Sequence, residues 1–162
     1  PLPEIAVVWS AAVASAIAVV SKCGGEAHFN PAISFVSALF RGFAWNKVLP
    51  YSLAQMVGSA VGSEAAYTLY QSSIHDYEAL QEIERSSSIE TARVFGEYFD
   101  SLSCTQAFGV EALGTAILAA TAFAVTHPSQ QSNHDNDPKL PVPLIMGGTV
   151  FTLINWLAPL TQ

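Results

Sequence analysis

The sequence predicts an all-α membrane protein of about four transmembrane helices plus one re-entrant half-helix. Three observations predict it. Only 12% of the 162 residues are charged while 51% are hydrophobic, against about 25% charged in an average soluble domain. The uncharged residues fall into four long runs. Between the first two runs lies a helix start, Asn30-Pro31, that stands too close to the next charge for a full crossing. The same composition excludes other classes. Gly 10, Pro 9 and Cys 2 exclude collagen-like, disordered and disulfide-scaffold chains. Six Lys+Arg against 13 Asp+Glu exclude a strongly basic nucleic-acid binder. The chain starts at Pro1 without Met and ends at Gln162 in an apolar run. It therefore reads as an internal piece of a longer polypeptide, and the lack of a signal peptide carries no weight.

The expected spans are 4–21, 48–70, 105–126 and 141–159, with a re-entrant loop over 24–40. Residues 5–21 are 17 without a charge, 48–63 are 16, 112–126 are 15 and 140–162 are 23. A spanning helix needs about 20 apolar residues, with a range of about 17–25. A soluble bundle of four buried helices is the alternative, but its helices keep a polar face. Residues 5–20 have none, holding only Ser10, Ser15 and the Trp9 indole. Two rows of small residues at i, i+4 spacing suit close packing in lipid: Ala54, Gly58, Gly62, Ala66 and Ala112, Ala116, Ala120, Ala124.

The connections differ in charge. Residues 71–106 carry seven carboxylates (Asp76, Glu78, Glu82, Glu84, Glu90, Glu97, Asp100) and two arginines, Arg85 and Arg93. Lys22, Arg41, Lys47 and Lys139 lie on the other set of connections. The positive-inside tendency makes that second set cytoplasmic, and the sides alternate consistently over the four spans.

Residues 24–40, GGEAHFNPAISFVSALF, are apolar but short. After Pro31 only about nine residues precede Arg41, about 14 Å of helix, or half a hydrocarbon core of about 30 Å. Asn30 is a favoured N-cap, and Pro31 suits the first helical position because its missing N–H would be unpaired there anyway. Residues 24–29 form the extended lead-in. Open backbone at that depth is tolerated only where it lines a water-filled cavity. The pattern therefore points to a pore, with a ladder of carbonyls and a helix N-terminus in mid-membrane. The partial positive charge there opposes cations, while the Asn30 amide can donate to a passing hydroxyl.

Several motifs resemble the aquaporin and glycerol-facilitator family, the major intrinsic proteins. GGEAHFNPAIS resembles its first NPA loop, KVLPYSLAQMVGSAVG its third helix including Gln55, TQAFGVEALGTAILAATAFAVT its fourth, and LAPLTQ the end of its fifth. The resemblance implies an aquaporin-like right-handed bundle of six spans and two half-helices in the complete protein, of which this chain holds a part. It implies pore or solute-contacting roles for Trp9, Ala27, His28, Phe29, Asn30, Pro31, Ala32 and Ile154. It implies structural pins at Glu111 and Gln55. Trp9 matches the filter position where glycerol facilitators carry tryptophan and water channels phenylalanine. Ile154 matches a filter position that is His in water channels and Gly in glycerol facilitators, and it is neither. Glu26 stands where the family has small residues, in a segment one residue longer than usual. Glu64 lies inside the 48–70 span, where the family is apolar.

The remaining residues carry no chemistry of their own. Cys23 and Cys104 fall toward opposite faces, against a mutual disulfide. His75, His127 and His134 lie in loops without metal-ligand spacing. No nucleophile–base pair or phosphate loop is present, so no catalytic residue, cofactor or metal is expected. The reading is a passive, non-enzymatic, multi-pass channel in the lipid bilayer of the plasma membrane. It would pass glycerol-type polyols and water, form a homotetramer when full length and bind no nucleic acid. The alternatives are a water-selective channel of the same family and, behind it, a secondary transporter with a helix broken at midplane. A transporter would need ionisable coupling groups at the break, where only Glu26 and His28 stand.

Overall fold

A computed structural model describes residues 2–96, 98–99, 102–128 and 141–161. Lys139, His134, Glu97 and Asp100, which entered the charge and ligand arguments, lie outside the described residues. The order of elements is α1 (Leu2–Lys22), α2 (Pro31–Phe40), α3 (Trp45–Leu80), a 3₁₀ turn (Ala92–Val94), α4 (Cys104–Val125) and α5 (Val142–Thr161). The described secondary structure is entirely helical. It divides into two compact units. One comprises residues 1–28 and 101–161, with α1, α4 and α5; the other comprises 29–100, with α2 and α3.

Local chemistry sets the helix ends. α1 stops in a Schellman motif, with Gly24 left-handed at φ +74. The Gly25 N–H donates to Val20 O at 3.0 Å and the Gly24 N–H to Ser21 O at 3.1 Å, closing carbonyls that would otherwise be orphaned. α4 opens with a capping box. Ser103 Oγ accepts from the Gln106 N–H, and Gln106 Oε1 accepts from the Ser103 N–H at 3.0 Å. Hydroxyls inside the helices donate back to their own backbone: Ser52 to Val48 O, Thr121 to Ile117 O, Thr149 to Ile145 O and Thr152 to Gly148 O, each at 2.9 Å. This disposes of side-chain donors that lipid cannot satisfy.

In the first unit α5 packs on both α1 and α4. Its core gathers Ile17, Val125 and Met146, with Val13, Leu118 and Ala122 against them. The tightest crossing is at Gly147. A Cβ there would stand 2.8 Å from the Ser10 carbonyl and 3.1 Å from the Ala14 Cβ. Ala6, Ser10 and Ala14, at i, i+4, i+8, form the small strip on α1 that admits this approach. The small rows noted in the sequence behave differently. Ala112, Ala116, Ala120 and Ala124 are all exposed, and a Cβ at Gly58 or Gly62 would meet nothing.

Many large apolar side chains lie on the surface of the described residues, although the core itself is mainly apolar. Ser34 and Ser37 are buried, while Val8, Trp9, Leu49, Met56 and Val61 are each more than half exposed. Three helices are long and apolar enough to cross a membrane: Leu2–Lys22, Cys104–Val125 and Val142–Leu160, with mean hydropathies of 1.9, 1.7 and 1.4. They correspond to the expected spans 4–21, 105–126 and 141–159. The fourth expected span, 48–70, differs. It is the middle of α3, whose 36 residues measure about 54 Å at about 1.5 Å per residue. α3 exceeds a hydrocarbon core of about 30 Å, and its Gln55, Glu64, serines and glycines leave it below the others in apolarity.

Gly147→Ala is expected to lower the stability of the whole protein by about 1–3 kcal/mol, because backbone on α1 must give way. Gly58→Ala should leave stability unchanged or raise it, since the added methyl meets open space and favours the helix. Thermal unfolding of the two variants in the same detergent compares them directly.

Candidate functional site

The short helix α2 is the centre of the candidate site, and its start is built as the residue types require. Asn30 has extended backbone, φ −153 and ψ 126, and its Oδ1 accepts from the Ala32 N–H at 2.8 Å. Pro31 occupies the first helical position, where no donor is needed. One side of the Asn30 amide is thus committed to the cap. Its Nδ2 group donates to nothing among the described residues and remains available to an oxygen outside the chain. Phe29, just before, takes φ +50, a left-handed conformation that is rare for a bulky residue and marks strain in the turn.

α2 buries Ile33, Ser34, Ser37 and Ala38 and packs against α3. Ser34 is wholly buried. Its Oγ donates to Asn30 O at 3.3 Å and accepts from Gln55 Nε2 at 3.2 Å. Gln55 therefore ties the middle of α3 to the first turn of the half-helix and, through Ser34, to the residue that caps it. The Gln55 Oε1 is buried without a hydrogen-bond partner among the described residues. Two T-shaped aromatic pairs support the same junction: Phe35 with Trp45 at 5.6 Å and Phe43 with Tyr51 at 5.0 Å between centroids. The exit from α2 is made by Gly42 at φ +73.

The other residues singled out in the sequence fall as follows. Ala27 is partly buried against the Ile17, Val125 and Met146 cluster, so its side chain is a core contact. His28 is half-buried, and its N–H donates to Glu26 O at 2.9 Å in a tight turn. Glu26 is exposed. Trp9 on α1 is 57% exposed and Ile154 on α5 is half-buried, both in the first unit. Ile154 lies two turns beyond Gly147, on the α5 face that meets α1. Glu111 stands two turns into α4 with its side chain exposed. Cys23 and Cys104 are exposed free thiols. Ser34 is the residue that sequence reasoning missed. The signal available was a serine one turn after an N-cap on a short apolar helix, but its partner is 21 residues away.

Removing Ser34 isolates the importance of the tie. Ser34→Ala strands the Gln55 amide in a buried place and should destabilise the protein by about 1–3 kcal/mol. Ser34→Ala with Gln55→Leu removes both partners and should recover most of that loss. Denaturation of the two variants in detergent, compared with the parent, reads the difference.

A family model described as Major intrinsic protein matches residues 1–161. The chain is 36% identical to a glycerol uptake facilitator protein of Pseudomonas aeruginosa and 34% identical to one of Haemophilus influenzae, over 98% of its own length. It is 35% identical, over the same share, to the propanediol uptake facilitator PduF of Citrobacter freundii. The chain spans 56%, 59% and 58% of the lengths of these three relatives. With a family model matching nearly every residue and relatives at 34–36% identity over 98% of its length, the chain belongs to the major intrinsic protein family.

Proposed function

We propose that the whole protein is a passive, multi-pass membrane channel for small uncharged solutes, glycerol-type polyols together with water. The observation that carries this reading is the Asn30 amide. It stands at the N-terminus of a half-length helix, with its oxygen spent on the cap and its Nδ2 donors left over. Such a group hydrogen-bonds a hydroxyl without holding it, and the adjoining helix N-terminus opposes cations. Relatives named as glycerol and propanediol uptake facilitators support a polyol as the solute.

In this reading Trp9 supplies a broad apolar wall for the carbon backbone of a polyol, with its indole N–H at one edge. Ile154 forms a second wall, narrower than glycine would leave. Ala27, His28 and Phe29 offer backbone carbonyls to the solute, and Pro31 and Ala32 shape the helix start. Glu111 and Gln55 act as pins. Glu111 is exposed in this chain and would meet its partner only in the part of the protein that the relatives' extra length represents. The whole protein would assemble as a homotetramer in the plasma membrane. No reaction is catalysed and no cofactor is used.

Stopped-flow light scattering on proteoliposomes holding the whole protein tests this. Both glycerol and water are expected to equilibrate faster than through protein-free vesicles. Ile154→Gly should raise the glycerol rate by roughly two- to tenfold, on the scale of the space of one or two methylenes. Trp9→Ala should loosen discrimination among polyols. Water flux without glycerol flux in the unmutated protein overturns the polyol reading in favour of a water-selective channel.

A further inference from the structure

The outer end of α3 is built in a way that its role as a membrane span does not require. The helix continues ten residues past position 70 and then closes in a Schellman turn. The Ile83 N–H donates to Glu78 O at 2.8 Å, and the Glu82 N–H to Ala79 O at 3.4 Å. The left-handed position of such a turn favours glycine. Here it is Glu82, at φ +54. A side chain in that conformation costs about 1–2 kcal/mol, and strained residues of this kind persist where their surroundings over-determine them.

Arg85, three residues on, is what over-determines it. Its Nε donates to Glu78 Oε1 at 2.8 Å and its Nη2 to Glu78 Oε2 at 2.6 Å, a two-pronged fork. Its Nη1 donates to the Tyr67 hydroxyl at 3.0 Å. The guanidinium also lies 5.7 Å from the Tyr67 ring centroid, and Phe95 meets the same ring edge-on at 6.2 Å. Tyr67 and Glu78 are 11 residues apart on α3, three turns along one face. A single guanidinium thus joins two side chains rooted about 16 Å apart along the helix axis, which converge on it from Tyr67 and Glu78. It covers Glu78, whose side chain is 11% exposed beneath an Arg85 that is 47% exposed. The fork holds the Glu78 carboxyl below the ordinary carboxylate range, with a lesser contribution from Thr91.

We propose that Arg85 is a strap: it binds the segment 83–95 lengthwise onto the projecting end of α3, so that this connection is a fixed part of the helix and not a free loop. Tyr67 lies 12 residues beyond Gln55 on α3, about 18 Å. Half of a hydrocarbon core is about 15 Å. The strap therefore sits at the outer membrane boundary, a placement that rests on the channel reading. The strapping itself does not.

Hydrogen–deuterium exchange on the whole protein in nanodiscs tests the proposal. Arg85→Ala should speed exchange over 83–95 and the last turn of α3 by roughly three- to fivefold, the scale of a half-exposed ion pair, and leave 31–55 unchanged. Arg85→Lys keeps a charge without the fork and should fall between the two. Glu78→Gln combined with Arg85→Ala should exchange no faster than Arg85→Ala alone. Glu82→Gly should slow exchange in the parent by relieving the turn. Equal exchange over 83–95 in Arg85→Ala and the parent, or a double variant whose effects simply add, overturns the strap. Glycerol flux measured on the same samples reports separately on the channel reading, because the exchange result stands whether or not glycerol passes.

Discussion

The structure depends on one constraint: a chain that opens its backbone inside a membrane must find a partner for every donor and acceptor it exposes. At Phe29–Asn30 the constraint is met within a few residues. Asn30 Oδ1 takes the first free N–H of α2, Pro31 presents none, and the Asn30 carbonyl accepts from both the backbone and the hydroxyl of Ser34. Ser34 in turn receives Gln55 from the neighbouring helix. The Gln55 Oε1 is left over on one side of this chain of bonds and the Asn30 Nδ2 group on the other. On the proposed channel reading, a solute would meet a remainder, the amide group that the helix start does not use.

The same constraint explains why much of the chain was legible in its sequence. The start of α2 falls where Asn30-Pro31 places it, and α1, α4 and α5 overlap the charge-free runs; the Gly24 turn and the Ser103 cap that set two of their ends emerged only from the structure. α3 was not legible at its C-terminal end. Residues 71–80 carry His75, Asp76 and Glu78 and read as solvated loop, yet they hold no Gly or Pro to stop a helix already under way. Once started, a helix propagates through good formers at little further cost. Charge marks where a helix leaves the membrane, and the two boundaries need not coincide.

Packing was the least legible part. Rows of small residues are visible in sequence, but which row meets a neighbour depends on contacts that no single helix encodes. The alanine row of α4 faces outward, while a lone Gly147 receives α1 at backbone distance. Ala6, Ser10 and Ala14 carried the complementary signal at i, i+4 spacing. Likewise Gln55 and Ser34, or Tyr67 and Arg85, are polar residues whose partners lie 21 and 18 positions away. In a membrane such pairs matter more than their number suggests, since an unpaired member has no water to turn to.

α3 is continuous from Trp45 to Leu80, and its contact with the half-helix falls well toward one end. Measured from Gln55, the short arm to Trp45 is about 15 Å and the long arm to Leu80 about 37 Å. The helix is therefore an unequal lever, with its pivot at the Gln55–Ser34 hydrogen bond. The short arm is braced as well, by Phe35 against Trp45 and Phe43 against Tyr51, whereas the long arm runs on past the half-helix. The half-helix thus grips α3 only over its first three turns, and the remaining length of α3 acts on Asn30 through that grip alone.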